Sequence, residues 1–286
     1  MVTRCAVQRA KFGAGCRLKS VIFGTAICFV VQLVGSFESN YVFADEERFI
    51  AGISLTGSLS DGVGQEGLLG DVAPRLSRML KRLEDAAKDE SVRGVLLSIQ
   101  SPQLGRARVL ELRESIQHIR DQGKPVVAHL ISGEPLDYSV AAACDRIVMP
   151  PAATLAITGV RTEVTFYKGL LDRLGIQAEI LQVGEFKGAG ETLTRDSMSP
   201  QLRQQYESFV GDLFEQMVEQ VSKDRGLEQT KVRELIDIGI FTPDQAVQAS
   251  LIDGIAYEYE VLSSFSASPA DSLVDFRRDY GKQDVD

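Results

Sequence analysis

The residue with the clearest potential for chemistry is Lys187, which lies in the loop 184–190 (G-E-F-K-G-A-G) directly after an apolar segment. Small neighbours let other groups approach closely, and burial lowers the pKa of a lysine because the ammonium loses hydration. A lysine that is neutral near pH 7 accepts a proton from a serine hydroxyl, as in Ser–Lys hydrolases. The loop therefore predicts a general base, while a solvated surface charge is the alternative interpretation.

The histidines and cysteines predict no second reactive centre. His118 and His129 have no Cys or His at ligand spacing, so we expect neither a zinc site nor a histidine-based triad. Cys144 is the only cysteine after residue 44, and its apolar setting favours a small buried side chain over a nucleophile. The glycines of residues 57–70 match neither a dinucleotide fingerprint nor a P-loop, which favours a mobile loop. No metal or cofactor is expected.

Apolar strands that alternate with amphipathic helices must position Lys187. The pattern predicts strands at residues 49–55, 94–99, 125–130, 146–149 and 177–183. It predicts helices at residues 76–83, 109–119, 138–144 and 166–174, a long one after Pro200, and two short ones, the second opened by Thr242 and Pro243. Such alternation implies an α/β fold with a mainly parallel sheet covered by helices.

The first 44 residues form a basic leader with an almost continuous apolar run at residues 21–34. This pattern is typical of an export signal, and it leaves open an uncleaved membrane anchor, a signal cleaved after Ala44, or a buried core helix. Because the basic side stays in the cytoplasm, we expect a single-pass protein of the cell membrane with its body on the extracytoplasmic, periplasmic side. Residues 45–262 then form the folded domain, and residues 263–286 form a polar linker or tail.

The charge balance excludes one class of partner. The leader carries a net charge of +4 and the whole chain −9, so residues 45–286 carry −13. A body this acidic would be repelled by the phosphates of a nucleic acid. No nucleic-acid partner is therefore expected.

Several segments, taken in order, resemble the signal peptide peptidase A (protease IV) family of membrane-anchored serine peptidases. The matching stretches are 123–129 (G-K-P-V-V-A-H), 141–148 (A-A-A-C-D-R-I-V), 167–176 (Y-K-G-L-L-D-R-L-G-I), 183–190 (V-G-E-F-K-G-A-G), 196–200 (D-S-M-S-P) and 241–254. The resemblance covers about residues 51–257. It implies a ClpP/crotonase-like fold, a ring-like homo-oligomer and a general-base role for Lys187.

Two positions depart from the family pattern. The nucleophilic serine normally lies ahead of the Ala-rich helix, where this chain has Pro135, and a proline has no hydroxyl to attack a carbonyl. The oxyanion motif N-S-P-G-G reads Q-S-P-Q-L at residues 100–104, without its paired glycines. Ser132 precedes the missing serine by three residues and is a conceivable substitute, although a turn-forming Ser-Gly is the simpler interpretation.

Long members of the family have an amino-terminal half that supplies the lysine and a carboxy-terminal half that supplies the serine. The resemblance therefore implies the lysine-bearing half of an enzyme that degrades signal peptides and other membrane-associated peptides. We expect it to be inactive without a serine-bearing second half, in the same or a separate chain. The alternatives are a non-catalytic assembly or scaffold subunit and, less favoured because of the export leader, a crotonase-type acyl-CoA enzyme.

Overall fold

The computed structural model describes residues 48–58, 76–263, 265 and 275–281. The leader and the glycine-rich stretch of residues 59–75 lie outside this range, so the predictions for the leader and for most of the mobile loop fall on residues that are not described. Within the described ranges, no helix combines the length and the apolarity needed to cross a bilayer.

Six parallel strands form the main sheet, and two more form a small antiparallel pair. The strands are β1 (Phe49–Ser58), β2 (Val92–Gln103), β3 (Val126–Ser132), β4 (Arg146–Met149), β5 (Leu155–Ala156), β6 (Ile240–Phe241), β7 (Gly254–Ile255) and β8 (Asp275–Arg277). The order in the main sheet is β7-β4-β3-β2-β1-β8, and β5 pairs with β6. Parallel neighbours need crossover connections, which the helices between the strands provide.

Nine α-helices lie within the described residues. They are α1 (Leu76–Lys88), α2 (Arg106–Asp121), α3 (Pro135–Ala141), α4 (Lys168–Arg173), α5 (Glu191–Thr194), α6 (Pro200–Arg225), α7 (Gln229–Ile238), α8 (Pro243–Gln248) and α9 (Glu258–Ser263). The predicted α/β architecture, a mainly parallel sheet covered by helices, is confirmed. The predicted N-cap is confirmed too, because Thr242 accepts the amide of Gln245 at 3.4 Å and Pro243 begins α8.

The main core lies on one face of the sheet, where α1, α2, α3 and α6 pack against β1–β4. Leu83, Leu112, Ile116 and Tyr138 are fully or almost fully buried there. Cys144 is also buried in this core, as expected. A smaller cluster on the opposite face includes Val127, Val148 and Val261. Both faces of the central strands are thus apolar, as a parallel sheet with covered faces requires.

Lys124 joins the predicted turn after α2 to the carboxyl end of α1. Its ammonium donates to the carbonyl oxygens of Ala86 (2.9 Å), Ala87 (2.8 Å) and Asp89 (2.6 Å). The last carbonyls of a helix have no partner within the helix, so a cation at this end satisfies them and complements the helix dipole. Lys124 therefore fixes the entry to β3, the strand that leads to the candidate site.

Part of the segment expected to be a polar linker or tail belongs to the sheet. Residues Asp275–Arg277 pair in parallel with residues 49–51 of β1, and Tyr280 donates through its amide to the carbonyl of Gly52 at 3.0 Å. Three residues with one apolar side chain are too few to show periodicity, so this strand has no sequence signature.

Candidate active site

Pro135 begins helix α3 at the carboxyl end of β3. Glu134 is the N-cap residue, and its backbone amide donates to the Asp137 carboxylate at 3.4 Å in a capping box. Proline is favoured at the first position of a helix because its fixed φ suits the turn and no amide is needed there. The fold thus accommodates Pro135 without strain, and this position presents no hydroxyl.

A cavity of about 610 Å³ opens at this edge of the sheet, where parallel α/β folds usually bind ligands. Four segments line it: the end of β2 with the start of α2, the start of α3, an extended stretch after β5, and one face of α6. The lining residues are 101–104, 106, 134–137, 158–162, 209, 210, 213 and 217. The missing-serine position and the altered oxyanion motif therefore share one cavity.

Ser132 and Ser101 lie side by side, with 3.0 Å between their hydroxyl oxygens. Ser132 is the last residue of β3, where it pairs with Gln100, and Gly133 forms a bridge to Leu155. The Ser-Gly pair is thus an extension of the sheet and not the expected turn. In the part of the chain that the structure describes, no lysine or histidine nitrogen hydrogen-bonds to Ser132, so no base activates it there.

Lys187 lies outside this cavity, at the entrance to a short 3-10 turn, Gly188–Gly190. It lines a second cavity of about 550 Å³ between its loop and the first turns of α6, and Phe209 borders both cavities. Its side chain is exposed and makes no hydrogen bond or ion pair with any described residue. The structure therefore does not bring Lys187 and Pro135 into one site, and the burial that would activate the lysine is not provided by the described residues.

The small residues around Lys187 do permit close packing, as expected. A methyl group on Gly188 would lie 2.7 Å from the Leu202 side chain, and one on Gly190 would lie 2.5 Å from Ile180. Gly184 has a φ of 102°, a conformation that residues with a side chain rarely adopt. Gly188 and Gly190 thus let the loop lie close to α6 and to Ile180, while Gly184 provides the positive φ at the start of the loop.

A buried carboxylate anchors the loop to the amino end of α6. Glu191 accepts the amide of Ser199 at 2.8 Å and its hydroxyl at 2.6 Å, and Ser199 in turn accepts the amide of Leu202 at 3.1 Å as the N-cap residue of α6. These hydrogen bonds lower the pKa of Glu191. Sequence reasoning missed this role, although Ser199 followed by Pro200 has the form of a helix start.

The strand predicted at residues 177–183 is absent, which corrects that prediction. The segment has no regular hydrogen bonding, and Leu181 and Val183 are 103% and 92% exposed. Its apolar composition is typical of a strand, but a strand also needs a pairing partner, and none of the described strands pairs with it. An apolar, unpaired segment therefore lies immediately before the Lys187 loop.

A polar network fixes α3, and sequence reasoning also missed it. Arg113 donates to the Ser139 carbonyl and forms an ion pair with Asp224 at 2.9 Å. The buried Tyr138 hydroxyl donates to the Leu251 carbonyl at 2.8 Å. These contacts join α3 to α2, α6 and the loop after α8, so the orientation of the missing-serine position depends on several distant elements.

The histidines occupy the positions that the sequence suggests. His118 is exposed on α2, and His129 is buried in β3 with no hydrogen-bond partner for its ring nitrogens among the described atoms. Burial lowers the pKa of His129, which favours the neutral ring. No group of three His, Cys, Asp or Glu side chains in the described ranges is arranged to hold a metal ion.

Comparison with known proteins identifies the family to which these features correspond. The family description "Peptidase family S49" matches residues 118–269. The chain is 26% identical over 211 residues to a chloroplastic serine protease SPPA of Arabidopsis thaliana, covering 74% of this chain and 31% of that protein. It is 28% identical over 222 residues to a putative signal peptide peptidase SppA of Enterococcus faecium, covering 75% and 62%. The chain thus spans less than two thirds of either relative.

Among solved structures, a mutant of the membrane-bound stomatin-specific protease 1510-N aligns with a TM-score of 0.45 and 12% identity. The alignment covers 81% of this chain and 97% of that one.

Proposed function

Because the chain belongs to peptidase family S49, we propose that it is the lysine-bearing half of a membrane-associated Ser–Lys peptidase that degrades signal peptides. In this proposal Lys187 is the general base, and a second half, in the same or a separate chain, supplies the serine and the oxyanion donors. The chain alone does not cleave peptides, because Pro135 occupies the nucleophile position.

The placement of Lys187 is the observation that carries the proposal. Lys187 is exposed and has no counter-ion among the described residues, so another surface can cover it. The adjoining segment, residues 176–186, presents Ile180, Leu181, Val183 and Phe186, each at least 42% exposed, beside that lysine. An exposed apolar surface of this kind is typical of an interface. Covering it would both bury Lys187 and bring a serine to it.

The same arrangement supports an oligomer in which half-sites meet. Neighbouring copies or halves in a ring would each cover the apolar segment of the next. The leader, with its apolar run at residues 21–34, would hold this assembly at the membrane with the body on the periplasmic side, where signal peptides are available as substrates.

A scaffold subunit is the second candidate, and Pro135 favours it. A subunit that only assembles needs neither nucleophile nor base, so Lys187 would then be replaceable without loss of activity. The effect of replacing Lys187 on the activity of the assembled complex therefore distinguishes the two functions.

The test uses the full chain in membranes together with a serine-bearing half, and it follows cleavage of an internally quenched apolar signal peptide. We expect Lys187→Ala to lower kcat by about 10²–10⁴-fold, the usual effect of removing a general base. Lys223→Ala is the matched control: it removes an exposed lysine that lies on α6, away from the Lys187 loop, and should keep kcat within about twofold.

Ser132→Ala tests the remaining serine in the same assay. We expect no change, since no described base contacts Ser132. Full turnover by the Lys187→Ala complex would establish the scaffold function instead. A loss in Ser132→Ala equal to that in Lys187→Ala would show that the nucleophile lies in this chain.

A further inference from the structure

The cavity at the start of α3 contains a buried acidic group that the peptidase chemistry does not use. Asp137 lines this cavity with only 3% of its surface exposed. Its carboxylate accepts one long hydrogen bond, from the Glu134 amide at 3.4 Å, and it forms no ion pair with any residue that the structure describes. Charged side chains are almost never fully buried unless they are paired.

Capping of α3 accounts for the position of Asp137 but not for its missing counter-charge. Capping carboxylates usually lie at the solvent-exposed start of a helix, where water stabilises their charge. Burial raises the pKa of Asp137 to about 6, the Glu134 amide opposes this rise, and the Glu134 carboxylate adds to it. The cavity thus holds a carboxylate whose charged form is destabilised by desolvation, and a cationic ligand would offset this destabilisation.

The other walls of the cavity suit a long aliphatic side chain with a charged end. The α6 face contributes Phe209, Val210, Leu213 and Met217, none of which is charged. The charged side chains that line the cavity besides Asp137 are Glu134, Arg106 and Arg161. Arg161 is paired with Glu163 at 2.5 Å and is 82% exposed, so it does not neutralise the interior.

We propose that this cavity binds a peptide through a lysine or arginine side chain, whose cationic end pairs with Asp137 while its aliphatic stem lies against Leu213 and Met217. The inference rests on the proposed function, since it takes the ligand to be a peptide. It adds a preference for a basic residue at the position bound beside α3. Lysine and arginine place apolar stems along hydrophobic walls while their charged ends meet a polar group, which is the distribution that this cavity offers.

The test measures binding by fluorescence polarisation, using the full chain without a second half so that the probe is not cleaved. Two blocked pentapeptides carry the same uncharged dye on an alanine background. Their central residue is lysine in one and norleucine, the same stem without the ammonium, in the other. At pH 7.5 we expect the lysine peptide to bind about tenfold tighter, the usual effect of a charged hydrogen-bonded pair. Asp137→Asn, which keeps the capping oxygen, should reduce this ratio to within about twofold.

Asp121→Asn is the control. It removes the same charge from an exposed residue at the last position of α2, while the first residue of that helix, Arg106, lines the cavity, so the affinity ratio should not change. In the unmodified chain the preference should also disappear below about pH 6, as Asp137 becomes protonated. Equal affinity of the two peptides for the unmodified chain at pH 7.5, or no binding of the lysine peptide, would overturn the inference without any variant. Lys187→Ala should not alter the ratio, so failure here is distinguishable from failure of the general-base proposal.

Discussion

Replacement of Glu191 by glutamine tests whether the buried carboxylate holds the Lys187 loop in place. Glu191 is 7% exposed and accepts two hydrogen bonds from Ser199, one from the amide and one from the hydroxyl. Glutamine has nearly the same shape but only one acceptor oxygen, and its amide nitrogen would face a donor. The substitution therefore removes charge and acceptor capacity while leaving the volume unchanged.

The magnitude follows from the two contacts. A hydrogen bond to a charged group contributes about 1.5–3 kcal/mol and a neutral one about 0.5–1.5 kcal/mol. In Glu191→Gln one hydrogen bond is lost and the other becomes a neutral one. The free energy of local opening should therefore fall by about 2 kcal/mol. Since about 1.4 kcal/mol corresponds to a factor of ten, local opening should become about 30-fold more frequent.

Native-state hydrogen exchange measures this opening at the amides of Ser199 and Leu202, which both depend on the clamp. We expect exchange about 30-fold faster in Glu191→Gln than in the unmodified chain. Glu219→Gln, an exposed position on α6, should exchange at the original rate. Unchanged exchange at both amides in Glu191→Gln would refute the view that this carboxylate fixes the loop.

The pH dependence has a defined sign. The pKa of Glu191 is lowered in the folded chain by its hydrogen bonds with Ser199. Its contribution to the stability of the folded state is therefore complete above the unfolded pKa of about 4.3. The contribution is lost as pH falls through the lowered folded value. The difference between Glu191→Gln and the unmodified chain should therefore be constant near neutral pH and shrink below about pH 4.

Two further substitutions test packing and capping. Gly188→Ala should lower the melting temperature and weaken turnover of the proposed peptidase assembly, because its methyl group would lie 2.7 Å from Leu202. Gly211→Ala is the control in α6: its methyl group would meet nothing within 4 Å, so it should stabilise the chain by about 0.5–1 kcal/mol. Lys124→Met should cost about 3 kcal/mol, about 6–12 °C in melting temperature, because three carbonyl groups at the end of α1 lose a charged donor. Lys81→Met on the exposed side of α1 should change little, and equal melting temperatures of the two lysine variants would contradict the capping role.

Strands and helices with strong periodicity were predictable from the sequence. Strand β4 matches its predicted bounds, and β1, β2 and β3 contain or overlap theirs, because buried parallel strands are short apolar runs between turn residues. The segment 177–183 has the same composition but no partner in the described sheet. Pairing is a tertiary property that a local pattern does not contain, and this is why the prediction failed there.

The candidate site was predictable only in part. The identity of the unusual residues, Lys187 and Pro135, was visible in the sequence, but their separation into two cavities was not. The clamp between Glu191 and Ser199 spans eight residues, and the contact between Arg113 and Asp224 spans 111, so neither has a local signature. The capping box of α3 was not predicted, because an acidic pair at a spacing of three departs from the usual Ser/Thr and Glu/Gln pattern.

Alkylation of the buried Cys144 can report transient opening of the core. Cys144 follows directly on the Ala-rich turn after α3, it is 5% exposed, and burial raises the pKa of its thiol. Thiolate is the form that reacts with alkylating reagents, so the folded chain should be inert at this position. In a chain whose three leader cysteines are changed to serine, each labelling event would therefore report a transient exposure of the core behind α3. Docking of the proposed second half, if it steadies that helix, would then be visible as slower modification of Cys144.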